Sequence, residues 1–174
     1  MNLEEKAENW KNIADKLLKV SAIFDLLNTY GDTRLAGAYK YNLMMKPDID
    51  IYLVSEEPSK IVAVELLNKF IHQGWWNNYE YGDFKDKRFR TKNWDWLPEG
   101  YYLQLKTDFE SSRWKVDIWL TDDKTFHEHG IVNGLESLSG EQRARILSMK
   151  DARNRGESSL SSYEIYQKVL EDSK

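Results

Sequence analysis

The sequence of 174 residues contains no cysteine. That single absence excludes disulfides, thiolate metal sites and a cysteine nucleophile. Histidine numbers only 3, and His127 and His129, two apart on an expected helix, point away from one another, so an imidazole-based metal centre is not expected. No apolar run approaches the ~20 residues needed to span a bilayer. The first ten residues are acidic and polar, unlike a secretory leader, and the expectation is a soluble cytoplasmic protein. Basic excess is also missing. The net charge of −4 gives no global pull toward nucleic acid or an anionic membrane, and it weighs against nucleic acid as a partner.

What is present is an ordinary globular balance, with 41% apolar and 31% charged residues, and an unusual wealth of Trp at 7 and Tyr at 10. Apolar residues recur at helical spacing through Ile13, Leu17, Leu18, Val20, Ile23, Phe24 and Leu27, predicting one helix over 3–28 that Gly31 closes with a left-handed cap. Residues 33–36 read as a short transition, and 38–45 as a brief helical turn ended by Pro47. Strict alternation over 48–54 predicts a strand, with Ile49, Ile51 and Leu53 on one face and Asp48, Asp50 and Tyr52 on the other. A second helix follows Pro58, and residues 75–81 read as extended. A charged, aromatic loop over 82–100 holds Lys85, Lys87, Arg88, Arg90 and Lys92 beside Trp94 and Trp96, and charge runs of this kind are usually solvated. Two further strands, 101–106 and 114–120, are joined by a polar stretch, and helices are expected near 124–135, 140–153 and 160–170. Nothing marks a linker. The expectation is one domain over 1–174 of α/β (α+β) class: a small mixed sheet flanked by helices, with a core of about 29–122 and a helical tail of about 123–174.

Two aspartates at i and i+2 on an otherwise apolar strand share a face, roughly 6–7 Å apart at their bases. Carboxylates so close repel unless a cation lies between them, and hard oxygen ligands suit Mg²⁺ or Mn²⁺ carrying substrate phosphates. Asp117, alternating with Val116 and Ile118, would join them if its strand lies alongside. Upstream, the glycine turn at Gly37-Ala38 exposes backbone N–H groups that can cradle phosphates, with Lys40 and Lys46 as nearby positive charges.

Gly37-Ala38, then Asp48-Ile49-Asp50, then Asp117 resembles the DNA polymerase beta-like nucleotidyltransferase superfamily over residues 31–120, and is most similar to small bacterial aminoglycoside-nucleotidyltransferase-type members. The resemblance implies the nucleotidyltransferase fold and transfer of a nucleoside monophosphate from a triphosphate such as ATP to an acceptor hydroxyl, with release of pyrophosphate. It implies that Asp48, Asp50 and Asp117 hold metal, that Asp117 acts as or supports the base, and that Gly37 and Ala38 line the triphosphate. The acceptor is open between a small molecule, a protein side chain and an RNA end. The family's second turn residue is usually Ser, and Ala38 lacks that hydroxyl, which puts turnover in question more than nucleotide binding. Two other readings stand beside the enzyme: a non-catalytic nucleotide- or partner-binding module that keeps the fold, and an interaction protein whose helical tail pairs with another chain, such as a second copy in a homodimer.

Overall fold

The computed structural model describes residues 1–90 and 96–172. Lys92 and Trp94 lie outside the described residues. Helix α1, Leu3–Val20, opens on a reciprocal cap between Asn2 and Glu5 and buries Ala7, Ala14, Leu17 and Leu18. The expected single helix is in fact two. At Ala22 the backbone turns left-handed (φ 49°) before α2, Ile23–Leu27, which redirects the chain so that Ile23 and Leu27 reach the sheet.

Gly31 is not the left-handed cap expected of it. Its φ is not positive, and a Cβ there would lie 2.7 Å from the Val54 carbonyl oxygen, so its smallness serves a close strand contact. The stretch expected as a transition is strand β1, Asp32–Ala36, followed by the short helix α3, Gly37–Lys40, much briefer than the predicted turn. Strand β2, Asp48–Val54, forms as the alternation requires. Helix α4, Lys60–Gln73, starts two residues beyond Pro58, capped by Ser59, and ends at left-handed Gly74. Strand β3 is Asn78–Asp83, leaving 75–77 outside it.

Strands β4, Tyr101–Phe109, and β5, Ser112–Thr121, are longer than expected. They form a tight hairpin whose turn residues Glu110 and Ser111 both have positive φ, a right-twisted turn normally given to Asn-Gly. Helix α5, Asp123–His129, stops early, and a single 3-10 turn at Leu135–Ser137 precedes α6, Gly140–Asn154, and α7, Ser162–Glu171. No helix among the described residues is long and apolar enough to cross a membrane.

The sheet runs β1-β2-β5-β4-β3, with β2 and β5 parallel and the other pairs antiparallel. The two faces divide the labour. Ile49, Ile51, Leu53, Val116, Ile118, Leu103 and Leu105 point toward α1, α2 and α4 and make the main core. The other face carries Asp48, Asp50, Tyr52, Lys115, Asp117, Trp119, Tyr102 and Gln104, by alternation within the same registers. A second core clamps α6 and α7 onto Leu43, Met45 and the 3-10 turn, and ties from Lys6 to Asp151 and from Arg143 to Glu4 fix the tail to α1. This attachment brings α6 and α7 to the polar face of the sheet.

Candidate active site

Parallel pairing places Asp50 opposite Asp117 and Asp48 opposite Lys115. The three carboxylates converge, each offering an oxygen within 4.8 Å of the others. Ala36 at the end of β1 stands opposite Asp50, and Gly37 folds the chain directly above that carboxyl group. With φ at +60°, Gly37 is left-handed, and an added Cβ would sit 2.0 Å from Asp50 Oδ2. Glycine is therefore required twice, for its backbone conformation and for the space that Asp50 fills.

The cluster has unequal partners. Asp117 Oδ1 accepts from Tyr102 OH at 2.7 Å and from Gln104 Nε2 at 3.0 Å, while its Oδ2 accepts from Lys115 Nζ at 2.6 Å. These bonds fix its orientation. Asp48 Oδ2 pairs with Lys46 at 2.8 Å; its buried Oδ1 lies 3.1 Å from Lys115 Nζ, yet accepts no properly directed hydrogen bond. The Asp50 carboxyl group, by contrast, has neither a hydrogen bond nor an ion pair among the described residues. Burial first, then the charges of Asp48 and Asp117, push its carboxyl group up to about 7. Three hard oxygen donors, one buried oxygen without a directed donor and one carboxyl group resisting ionisation fit a divalent cation of the Mg²⁺ or Mn²⁺ type.

The predicted glycine turn and acids thus come together, and Lys46 joins them. Lys40 does not. Its ammonium turns toward Glu136 at 3.3 Å and over the Tyr41 ring, on the side of the tail. With α3 only four residues long, the positive helix end expected to aid phosphate binding is weak, and the exposed backbone N–H groups remain.

Sequence reasoning missed which residues α6 and α7 bring to the site. Lys150 is 1% exposed, and it shares a cavity of about 70 Å³ with Gly37, Ala38, Lys46, Asp48, Asp50, Ser162 and Tyr166. Its ammonium contacts Tyr166 OH at 3.0 Å, and burial, then Arg153, depress its pKa to about 7. The detectable signal was its position, because Lys150 continues the apolar stripe of Ile146 and Leu147 where a hydrophobe belongs.

Beside the triad opens a larger cavity of about 1130 Å³. Asp50 and Asp117 form its floor, and Tyr52, Phe84, Tyr102 and Trp119 form an aromatic wall with ring centroids as close as 4.8 Å for Tyr102 and Trp119. Trp96 and Tyr163, both exposed, face it from the loop and from α7. His129 lines it as well, whereas His127 pairs with Asp123 on the surface. In the basic loop, Arg88 forks onto Asp86 and Lys85 lies over Tyr101, as a solvated charge run would. Arg143, Arg145 and Arg155 form ion pairs with Glu4, Asp172 and Glu157, and Arg143 also reaches the carbonyls of Tyr41 and Asn42.

No protein-family model matches this sequence, and no curated protein does. Solved structures do match in fold. A cytoplasmic RNA terminal U-transferase superposes with a TM-score of 0.63 at 16% identity, covering 94% of this chain and 46% of the other. The non-canonical poly(A) polymerase GLD-2, in complex with GLD-3, gives 0.58 at 14% identity, covering 95% and 57%. Cid1, named for RNA terminal uridylyl transferase activity, gives 0.57 at 16%, covering 94% and 48%. The chain spans about half the length of these structures. The narrower likeness to the aminoglycoside type gains no support from them, and neither does the expectation against nucleic acid, since two of the three are named for RNA. What the chain shares with them is the nucleotidyltransferase fold, a mixed five-stranded sheet with helices.

Proposed function

We propose that the chain is a divalent-metal-dependent nucleotidyltransferase that moves a nucleoside monophosphate from a nucleoside triphosphate to an acceptor hydroxyl. The observation that carries this reading is the convergence of Asp48, Asp50 and Asp117 beneath the Gly37 turn, with Asp50 and Asp117 opening onto a cavity of about 1130 Å³. Asp48, Asp50 and Asp117 would hold the cations, which when bound neutralise triphosphate charge and favour the ionised acceptor oxygen. The backbone N–H groups of Gly37 and Ala38, with Lys46 and Lys150, line the phosphate tail. The acceptor oxygen forms its bond to the α-phosphorus as the bond to pyrophosphate breaks, and Asp117 takes or steers the hydroxyl proton. Residues of the tail, 123–174, supply Lys150, Ser162 and Tyr163, so the reading assigns the whole chain to one functional unit.

The cavity beside the triad suits a small acceptor. Its described lining carries Glu80, Glu128 and Glu164 besides the catalytic aspartates, and no Lys or Arg. Such walls favour a neutral or amine-bearing ring compound over a phosphate-rich strand. RNA is the second reading, supported by the fold neighbours named above. Incubation with α-³²P-labelled ATP, GTP, CTP and UTP and Mg²⁺ would separate them, offering in turn a panel of hydroxylated amines and a short RNA. Label transferred to an amine supports the first reading and label on RNA the second. Release of no pyrophosphate with any pair contradicts the enzyme itself.

Two variants probe parts of the site. Lys150→Met should weaken triphosphate binding by tenfold or more, from the loss of a charged contact worth about 1.5–3 kcal/mol. The same variant should melt higher without ligand at pH 6. A lysine whose folded pKa is depressed costs stability progressively as pH falls from 10.5 to about 7, and below that the cost is full. Calorimetric binding and melts at pH 6 and 10 check both halves. Ala38→Ser restores a hydroxyl at the turn and should raise kcat by up to about tenfold, or about 1.4 kcal/mol, with little change in triphosphate affinity.

A further inference from the structure

We propose that Lys115 is a built-in counter-ion of the carboxylate cluster, occupying the notch between Asp48 and Asp117 until a divalent cation displaces it. The inference rests on the metal-binding reading above and adds a residue that governs how the cation gains access.

Register makes the placement unavoidable. Lys115 stands directly across from Asp48 and two residues before Asp117 on the same strand, so its side chain leaves the sheet on the face that carries both acids. Its Nζ lies 2.6 Å from Asp117 Oδ2 and 3.1 Å from Asp48 Oδ1, bridging the parallel strands. Lys46 compensates Asp48 only from the open side, at Oδ2, through a half-exposed side chain. Among the described residues, Lys115 is therefore the cation that reaches two of the three acids at once.

The two contacts differ in kind. The one to Asp117 is a directed hydrogen bond, whereas that to Asp48 Oδ1 is charge proximity alone, leaving this buried oxygen without a directed donor. Two ammonium charges, Lys115 and the half-exposed Lys46, thus face three acids whose oxygens lie within 4.8 Å of one another. A divalent ion brings twice the charge and draws oxygens to about 2.0–2.1 Å, which an ammonium ion cannot match. Lysine is suited to yield. It is a compact charge on a flexible four-carbon stem, and the side chain is 32% exposed, which leaves it room to withdraw.

Bare cation binding is then a competition that Lys115 resists. A cation arriving on a triphosphate carries negative charge of its own, which a nearby lysine favours. Lys115 therefore biases the site toward the metal–triphosphate complex and away from free metal.

The test is calorimetric titration of MnCl₂, without nucleotide, into the wild type, Lys115→Met and Lys115→Arg, with melts of each chain with and without Mn²⁺. Removing a unit charge beside the bound ion should tighten Mn²⁺ binding about tenfold or more in Lys115→Met. That variant should also melt below wild type without metal and recover with it, while Lys115→Arg should keep the weak metal binding of the wild type. Lys115→Gln, which keeps a neutral donor, stands in under the same criteria if the Met variant does not fold. Equal or weaker Mn²⁺ binding in the charge-removed variant, or a melting loss that Mn²⁺ leaves untouched, overturns the assignment of Lys115 while the metal site stands. If no chain responds to Mn²⁺, with or without triphosphate, both the metal reading and this inference fall.

Discussion

Asp50→Asn should abolish metal-dependent triphosphate binding and at the same time make the metal-free chain more stable at pH 8. Both effects come from one side chain. Asp50 is crowded by Asp48 and Asp117 and raised to about 7, so its carboxylate is costly in the folded chain and inexpensive in the unfolded one. The sign follows. An acid with a raised folded pKa binds more protons folded than unfolded between about pH 4 and 7, so metal-free stability falls as pH rises through that window. Above it the full cost is present. The Asn variant removes the charge with little change of shape and should gain on the order of 2–4 kcal/mol at pH 8, with the two chains converging near pH 4. At this chain length that is a rise of several degrees in Tm. Melts across pH 4 to 8, paired with calorimetric binding of a triphosphate and Mg²⁺, measure both. Unfolding of Asp50→Asn would make Asp50 a structural residue and remove it from the site.

Gly37→Ala should lose the same binding but move stability the other way. A single methyl group would lie 2.0 Å from Asp50 Oδ2 in a backbone held at φ +60°. The left-handed conformation costs a non-glycine residue about 1–2 kcal/mol, and forced repacking adds about 1–3 kcal/mol. Either the turn rises off the strand or Asp50 swings out of the triad, and each breaks the arrangement of phosphate donors over metal ligands. A loss of about 2–5 kcal/mol with binding abolished is the expected pair. If Gly37→Ala binds triphosphate normally, the turn does not cover the phosphate tail.

The residues behind these two predictions were legible in the sequence to different degrees. Asp48, Asp50 and Asp117 could be read because each falls on the polar side of a strict alternation, so that strand geometry alone sets them on the face opposite the apolar residues. Gly37 could be read as a turn, but its contact with Asp50 depends on β1 ending opposite that residue. Strand β1 itself was illegible, because an edge strand written Asp-Thr-Arg carries no hydrophobic alternation, and its pairing with β2 is supplied by the backbone. The two strands β4 and β5 were read, but the tight turn between them was hidden, since Glu110 and Ser111 adopt the positive φ that sequence rules reserve for Asn and Gly.

The residues the tail brings were the larger omission. Lys150 sits 33 positions beyond Asp117 in the chain, and only the packing of α6 and α7 on Leu43 and Met45 sets it beside Asp50. Local patterns reported that α6 was a helix. They did not report which face met the sheet. A charge on the apolar stripe was the trace of that contact, as Lys115 two residues before Asp117 was the trace of its own.

The central claim is that three carboxylates form one metal-dependent triphosphate site. Calorimetric titration of ATP, GTP, CTP and UTP into the wild type and Asp50→Asn, each with and without Mg²⁺, tests it most directly. The account predicts saturable binding of at least one triphosphate by the wild type only when Mg²⁺ is present, and none by Asp50→Asn. Binding that is indifferent to Mg²⁺, or equal in the two chains, would contradict it.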